Sequence, residues 1–184
     1  MKKTSLSILL MVAFGLAMLS ACGGGTNSTP QPPPQPTTAV LTLSTAVTGT
    51  IPAGTNINGY IVTIPLPAGV TVKTIPATNP SETDIGVVTA SGSAAGALIS
   101  GVYTAATGTF PGTVKVLVFN MNLDGTGFNP GEFCKVNADI AAGYSPAASS
   151  FATPTLDDAT GIDSLGSTVI LTGQLSLTAT AVVH

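Results

Sequence analysis

The chain has 184 residues, five lysines, no arginine and eight carboxylates, for a formal net charge of −3 at pH 7. Beyond Cys22 only Lys73, Lys115 and Lys135 stand against all eight acids. A net-negative surface without arginine excludes the electrostatic footprint of a nucleic-acid binder, and anionic lipid would repel it.

At the N-terminus Lys2 and Lys3 precede an almost wholly apolar run, residues 6–19. That run is shorter than the roughly 20 apolar residues a spanning helix needs. It has the charged and apolar regions of a secretory signal peptide and ends in small residues, as a cleavage site requires. The small residues lead into a thiol, Leu19-Ser20-Ala21-Cys22, and this stretch resembles the lipobox of bacterial lipoproteins. The resemblance implies a diacylglyceryl group on the Cys22 sulfur, cleavage just before it, and acylation of the new N-terminus. Residues 1–21 are then a lipoprotein signal peptide, and the exported protein meets the membrane through lipid on Cys22. The alternative is an ordinary signal peptide with an incidental Cys22. Each buried methylene contributes about 0.8 kcal/mol, so one chain binds reversibly while several anchor stably.

Residues 22–37 form the next segment, a lipid-anchored Gly/Pro-rich linker: Gly23, Gly24 and Gly25, then a run rich in Pro, Gln and Thr. With no apolar side chains to bury, it cannot offset its ordering entropy and is predicted to stay unfolded. The glycines make it flexible and the prolines extend it, by about 3.1 Å per residue. Proline-rich stretches also serve as ligands for aromatic grooves, but such domains are not expected outside a bacterium. In lipoproteins of two-membraned bacteria, Asp after the cysteine favours inner-membrane retention. Gly23 and Gly24 stand there instead, which favours the outer membrane where the cell has one.

Residues 38–184 are enough chain for one domain with its own core. Residues 60–66 alternate in β-branched and apolar side chains at the period of a strand. Similar runs recur at 40–48, 70–75, 85–90, 97–103, 114–121, 133–141, 168–171 and 174–183. Gly and Pro turn signals separate them, at Pro52-Ala53-Gly54, Pro67-Ala68-Gly69, Thr107-Gly108, Asp124-Gly125 and Thr160-Gly161. With no amphipathic helix after residue 22, the pattern predicts an all-β sandwich or barrel. Residues 114–121, apolar at nearly every position, are expected to form a central strand covered on both faces, and 174–183 to close a sheet.

The order of these motifs resembles cohesin-like domains. The segment Gly59-Tyr60-Ile61-Val62-Thr63-Ile64-Pro65-Leu66 with its turn Pro67-Ala68-Gly69-Val70 is similar to their early strand and turn. Residues 112–119, then Asn129-Pro130-Gly131-Glu132-Phe133, are similar to their paired central strands, and Asp157-Asp158-Ala159-Thr160-Gly161-Ile162 to their closing segment. Cohesins and related carbohydrate-binding modules share a nine-stranded jelly-roll sandwich. The resemblance therefore implies a jelly-roll-like β-sandwich of about nine strands and non-catalytic recognition of a protein or a polysaccharide. The chain has no dockerin segment and no fused enzyme, so a scaffoldin role does not follow.

Chemistry-bearing residues are few. His184, the only histidine, is the last residue, a poorly ordered position for a general base, whereas nucleophilic catalysis needs a base held against the nucleophile. Asp157, Asp158 and Asp163 cluster in sequence, and a meeting of Glu132 with Asp124 across a loop is the other carboxylate pair to consider, but glycoside hydrolysis needs two carboxyls flanking a cleft. Solvated loop carboxylates are the plainer reading, and no catalysis is expected. Asn120, Asn122 and Asp124 before Gly125 alternate as the first ligands of a calcium loop do. The bidentate Glu that normally closes such a loop comes one residue late, as Glu132, and the first ligand is neutral. A strand end and turn capped by Asx side chains is the alternative. Calcium through Asn120, Asn122, Asp124 and Glu132 is the one cofactor to consider, and none is otherwise expected.

Tyr103 and Tyr144 are the candidates for sugar stacking, whereas Tyr60 reads as core. Cys134, left without a thiol partner once Cys22 is lipidated, shares a strand face with Val136, Ala138 and Ile140 and is predicted to be buried. The expected binding residues lie in two polar loops, 120–132 and 155–167: Asn120, Asn122, Asp124, Asn129, Glu132, Asp157, Asp158 and Asp163. Together these features predict a membrane-anchored lipoprotein displaying a non-catalytic binding or scaffolding β-sandwich, with a protein partner favoured. A carbohydrate-binding module of the cell envelope is the first alternative and an envelope hydrolase using loop carboxylates the second.

Overall fold

Branched and aromatic side chains suit a pleated, half-buried surface, and they pattern this chain into strands nearly throughout. The computed structural model describes residues 33–76, 81–121, 126–151 and 153–184. Ten strands form among them: β1 (Thr38–Val47), β2 (Asn56–Pro65), β3 (Val70–Thr71), β4 (Val88–Ala90), β5 (Leu98–Thr104), β6 (Thr113–Phe119), β7 (Gly131–Ile140), β8 (Thr155–Ile162), β9 (Thr168–Ile170) and β10 (Leu175–Val183). The described helices are short 3₁₀ turns, and none is long and apolar enough to cross a membrane.

The strands make two antiparallel sheets. In the first the order is β10–β1–β7–β3, with β4 also on β7; in the second it is β5–β6–β2–β8–β9. Successive strands stay in one sheet only from β3 to β4, β5 to β6 and β8 to β9. At every other connection the chain crosses to the opposite sheet, the alternation expected of a jelly-roll-like sandwich. One face of each strand fills the space between the sheets. Leu41 and Leu43 of β1, Val62 and Ile64 of β2, Val114, Val116 and Val118 of β6, and Val136 of β7 are all fully buried. Each such side chain contributes about 1.5–3 kcal/mol of burial.

A β-bulge brings the largest rings together. Leu43 pairs with Cys134 but Ser44 pairs with Glu132, so Phe133 is an extra residue in β7. The bulge interrupts the alternation, and Phe133 and Cys134 both turn inward, fully buried. The Phe133 ring then lies 4.5 Å from that of Tyr60, which stacks on Phe128 at 5.8 Å. The Tyr60 hydroxyl and Thr45 Oγ1 share a hydrogen bond of 3.3 Å inside the core.

Three expectations need correction. Residues 155–162, read as part of a polar loop, are strand β8, held between β2 and β9. Glu132, expected in the other loop, lies inside β7. β6 is interior to its sheet, as expected, but is covered on one face only: Lys115, Leu117 and Phe119 point to solvent. Apolar residues at both parities of β6 reflect a buried face and an exposed apolar face, not two buried ones.

Cys134 lies in the core beside Val136, and burial pushes its thiol from an ordinary value of 9.0 up to about 12. A thiol neutral in the folded state and ionised in the unfolded one costs stability between those values. Stability is intact below pH 9 and falls as pH rises toward 12, by at most about 1.4 kcal/mol per pH unit. The Tyr60 hydroxyl, raised by burial and partly lowered again by its Thr45 hydrogen bond, adds to the loss above pH 10. Denaturant melts at pH 8 and pH 11 are expected to show this decline, with thiol reagents labelling Cys134 slowly until the domain unfolds. Rapid native labelling would place the thiol at the surface.

Candidate binding face

The outer face of the second sheet is where apolar side chains gather in solvent. Pairing in register runs Leu98–Phe119–Gly59–Thr160–Ile170 across all five strands. The neighbouring row runs Ser100–Leu117–Ile61–Asp158. Leu98 is 55% exposed, Leu117 42%, Phe119 40% and Ile170 62%. Val102, exposed too, flanks them on β5. In an antiparallel sheet residues directly opposite share a face, so register alone assembles the patch.

Gly59 makes a notch in its middle. A Cβ there would meet Thr160 Oγ1 and Val118 O at 3.2 Å and the Phe119 ring at 3.4 Å. The ring therefore lies against the space a larger side chain would take, as glycine in a strand often permits. Gly59, Ile61, Leu117, Phe119, Asp158 and Thr160 line a shallow depression of about 90 Å³.

Polar groups rim this surface, fixed by the carboxylates of β8. Ile61 pairs with Asp158 and Val62 with Leu156, leaving Asp157 as a bulged extra residue. Its Oδ2 accepts a hydrogen bond of 2.6 Å from Thr63 Oγ1 and lies 3.5 Å from Lys115 Nζ. This exposed ion pair contributes about 0–1 kcal/mol to stability; its effect is to set charge at the edge of an apolar face. Asp158 Oδ1 accepts from Thr172 Oγ1 at 3.1 Å.

The remaining expected residues do not converge on one centre. Asp163 Oδ1 accepts the N–H groups of Leu165 at 2.9 Å and Ser167 at 2.8 Å, an Asx turn that closes the β8–β9 hairpin. Asn120 is buried and its side-chain amide donates to the Thr126 carbonyl, closing the loop after β6. Asn129 is exposed beyond that loop. Glu132 sits in the other sheet, its Oε1 3.4 Å from Lys135 Nζ; the Phe133 bulge sets these two on the same face. Asn122 and Asp124 lie outside the described residues, as does Cys22. The two described members of the calcium set, Asn120 and Glu132, thus each engage another group. Among the described residues no group of three or more His, Cys, Asp or Glu side chains is placed to hold a metal ion.

The two stacking candidates are also apart. Tyr103 is half-buried on β5 and packs against the core, like Ile99. Tyr144 is 46% exposed on the loop after β7. Its ring covers Gly69, where a Cβ would come within 2.1 Å of Tyr144 Cγ. They do not form a platform.

The residues that make the exposed apolar face, Leu98, Leu117, Phe119 and Ile170, escaped the sequence reading. Their signal was present in β6, where apolar residues occupy both parities. No family model, curated protein or solved structure matches the chain.

Proposed function

We propose that the protein is an exported lipoprotein, anchored by lipid on Cys22, whose β-sandwich captures a protein partner on the outer face of β5–β6–β2–β8–β9. The observation that carries this reading is the solvent-exposed row of Leu98, Phe119 and Ile170 with Leu117 beside it. Contiguous apolar surface rimmed by polar groups marks interaction sites in soluble domains. Aliphatic side chains dominate and Phe119 supplies the only ring of the two rows, which suits a protein surface better than a sugar ring that needs aromatic stacking. The resemblance of residues 59–70 and 112–133 to cohesin-like domains supports the same class. The reading is non-catalytic: Asp157, Asp158, Asp163 and Glu132 are each engaged in local contacts. The signal-peptide pattern and Leu19-Ser20-Ala21-Cys22 support export and anchoring, and Gly23 and Gly24 support the outer membrane where the cell has one.

The double variant Leu117→Asp/Phe119→Asp tests the face. Both side chains already meet solvent, so cooperative melting is expected to stay close to wild type. Affinity for an envelope protein captured by the wild-type chain is expected to fall about a hundredfold, the scale of losing central anchors worth at least 2 kcal/mol. A Leu165→Asp variant at the β8–β9 tip is expected to bind as wild type. Unchanged affinity in the double variant contradicts the reading.

A further inference from the structure

The edge of the first sheet formed by β10 lacks the charge, proline and bulges that normally keep sheets from adding strands. Thr38 and His184 exchange both backbone hydrogen bonds, Thr38 N–H to His184 O at 3.1 Å and His184 N–H to Thr38 O at 2.8 Å. In an antiparallel ladder such pairs recur every second residue, so Val182, Thr180, Thr178 and Ser176 bond to Val40, Thr42, Ser44 and Ala46 of β1. The N–H and C=O groups of Leu175, Leu177, Ala179, Ala181 and Val183 therefore point away from β1. β10 pairs with no other described strand. The 3₁₀ turn Ala148–Phe151 lies beside it, but the turn's Ser150 N–H goes to Ala147 O and the Phe151 ring is buried in the core. Edge strands are normally blunted by charge, proline, bulges or short length. β10 spans nine residues without charge, proline or glycine, and its pairing with β1 shows no bulge.

We propose that this edge pairs with β10 of a second copy of the chain, antiparallel about a two-fold axis through Ala179, joining the two first sheets into one. The sequence of β10 is self-complementary in one register. With Ala179 opposite Ala179 of the second copy, Leu177 faces Ala181 and Leu175 faces Val183, so every outward-pointing backbone group meets a partner. On the outer face Thr178 then lies opposite Thr180, a pairing that β-strands favour, and Ser176 opposite Val182, so no like charges come together. A two-fold contact uses the same patch on both copies. The surface is separate from the outer face of the second sheet, so the inference does not rest on the function proposed above.

Cysteine pairs placed in the full-length chain read the register directly. Thr178→Cys/Thr180→Cys and Ser176→Cys/Val182→Cys set cysteines opposite each other in the proposed dimer. Ser176→Cys/Thr180→Cys does not. Under mild oxidation the first two are expected to give a disulfide-linked dimer on non-reducing gels and the third to remain monomeric. Cys134 is buried and does not compete. In detergent, sedimentation of the wild-type chain is expected to show a dimer. Ala179→Pro, which removes an N–H that β1 does not use, is expected to give a monomer with an unchanged β signature. A monomeric wild type at 100 µM, or cross-linking as efficient in the mismatched pair as in the matched ones, overturns the proposal.

Discussion

Replacing Phe133 with Ala is expected to lower the stability of the folded domain by about 3–5 kcal/mol, the cost of deleting a large buried ring. The bulge in β7 is what sends this ring inward, to within 4.5 Å of Tyr60, and Tyr60 in turn stacks on Phe128. Removing Phe133 therefore leaves a cavity beside Tyr60 of β2, the ring that also holds Phe128. Domains of this size are stable by only about 5–15 kcal/mol, so the loss is a large share of the whole. Urea denaturation followed by far-ultraviolet circular dichroism measures it. Phe133→Leu, which retains most of the apolar volume, is expected to recover much of the difference. A cost below 1 kcal/mol for Phe133→Ala would show that the bulge does not place the ring in a packed core.

The second large effect concerns anchoring. The Cys22→Ser variant is expected to lose lipid labelling entirely, because oxygen cannot replace the sulfur in the thioether to diacylglycerol, and to accumulate as uncleaved precursor. The expected loss of label is complete, since no second thiol substitutes: Cys134 lies in the core. Metabolic labelling with a fatty-acid analogue and fractionation of membranes measure both consequences. A Ser variant that is cleaved normally and still sediments with membranes contradicts lipid attachment at Cys22.

Strand content was legible wherever alternation met branched side chains, as in β2, where Tyr60, Val62 and Ile64 turn inward while Ile61 and Thr63 turn out. β8 was not. Its inner face is formed by Ala159 and Gly161, where small size, not hydrophobicity, is required. A Cβ on Gly161 would come within 2.8 Å of Leu171 and 2.9 Å of the Asn56 carbonyl. Its other residues include Asp157, Asp158 and Thr160, which carry turn chemistry in isolation and become strand only because β2 and β9 pair with them. The shortness of β3 has a similar origin. Residues 70–75 alternate well, but only Val70 and Thr71 find a ladder on β7. Cys134 was legible as core from its strand neighbours alone.

The exposed apolar face was harder to read because it is made by register. Leu98, Phe119, Gly59, Thr160 and Ile170 are scattered over more than a hundred positions of sequence and become one row only through four strand pairings. Several of the carboxylates and amides that drew attention in the sequence serve local contacts. Asp163 caps its hairpin and Asp157 meets Lys115 and Thr63.

Site-specific photocross-linking in intact cells tests the central claim, that a protein partner docks on this sheet face, most directly. A photoreactive side chain at position 117 or 98 is expected to yield a discrete adduct with one envelope protein. The same probe at position 165, on the β8–β9 tip, is expected to yield none. A discrete adduct from position 165 with none from 117 or 98 would place recognition in the loops and contradict the account.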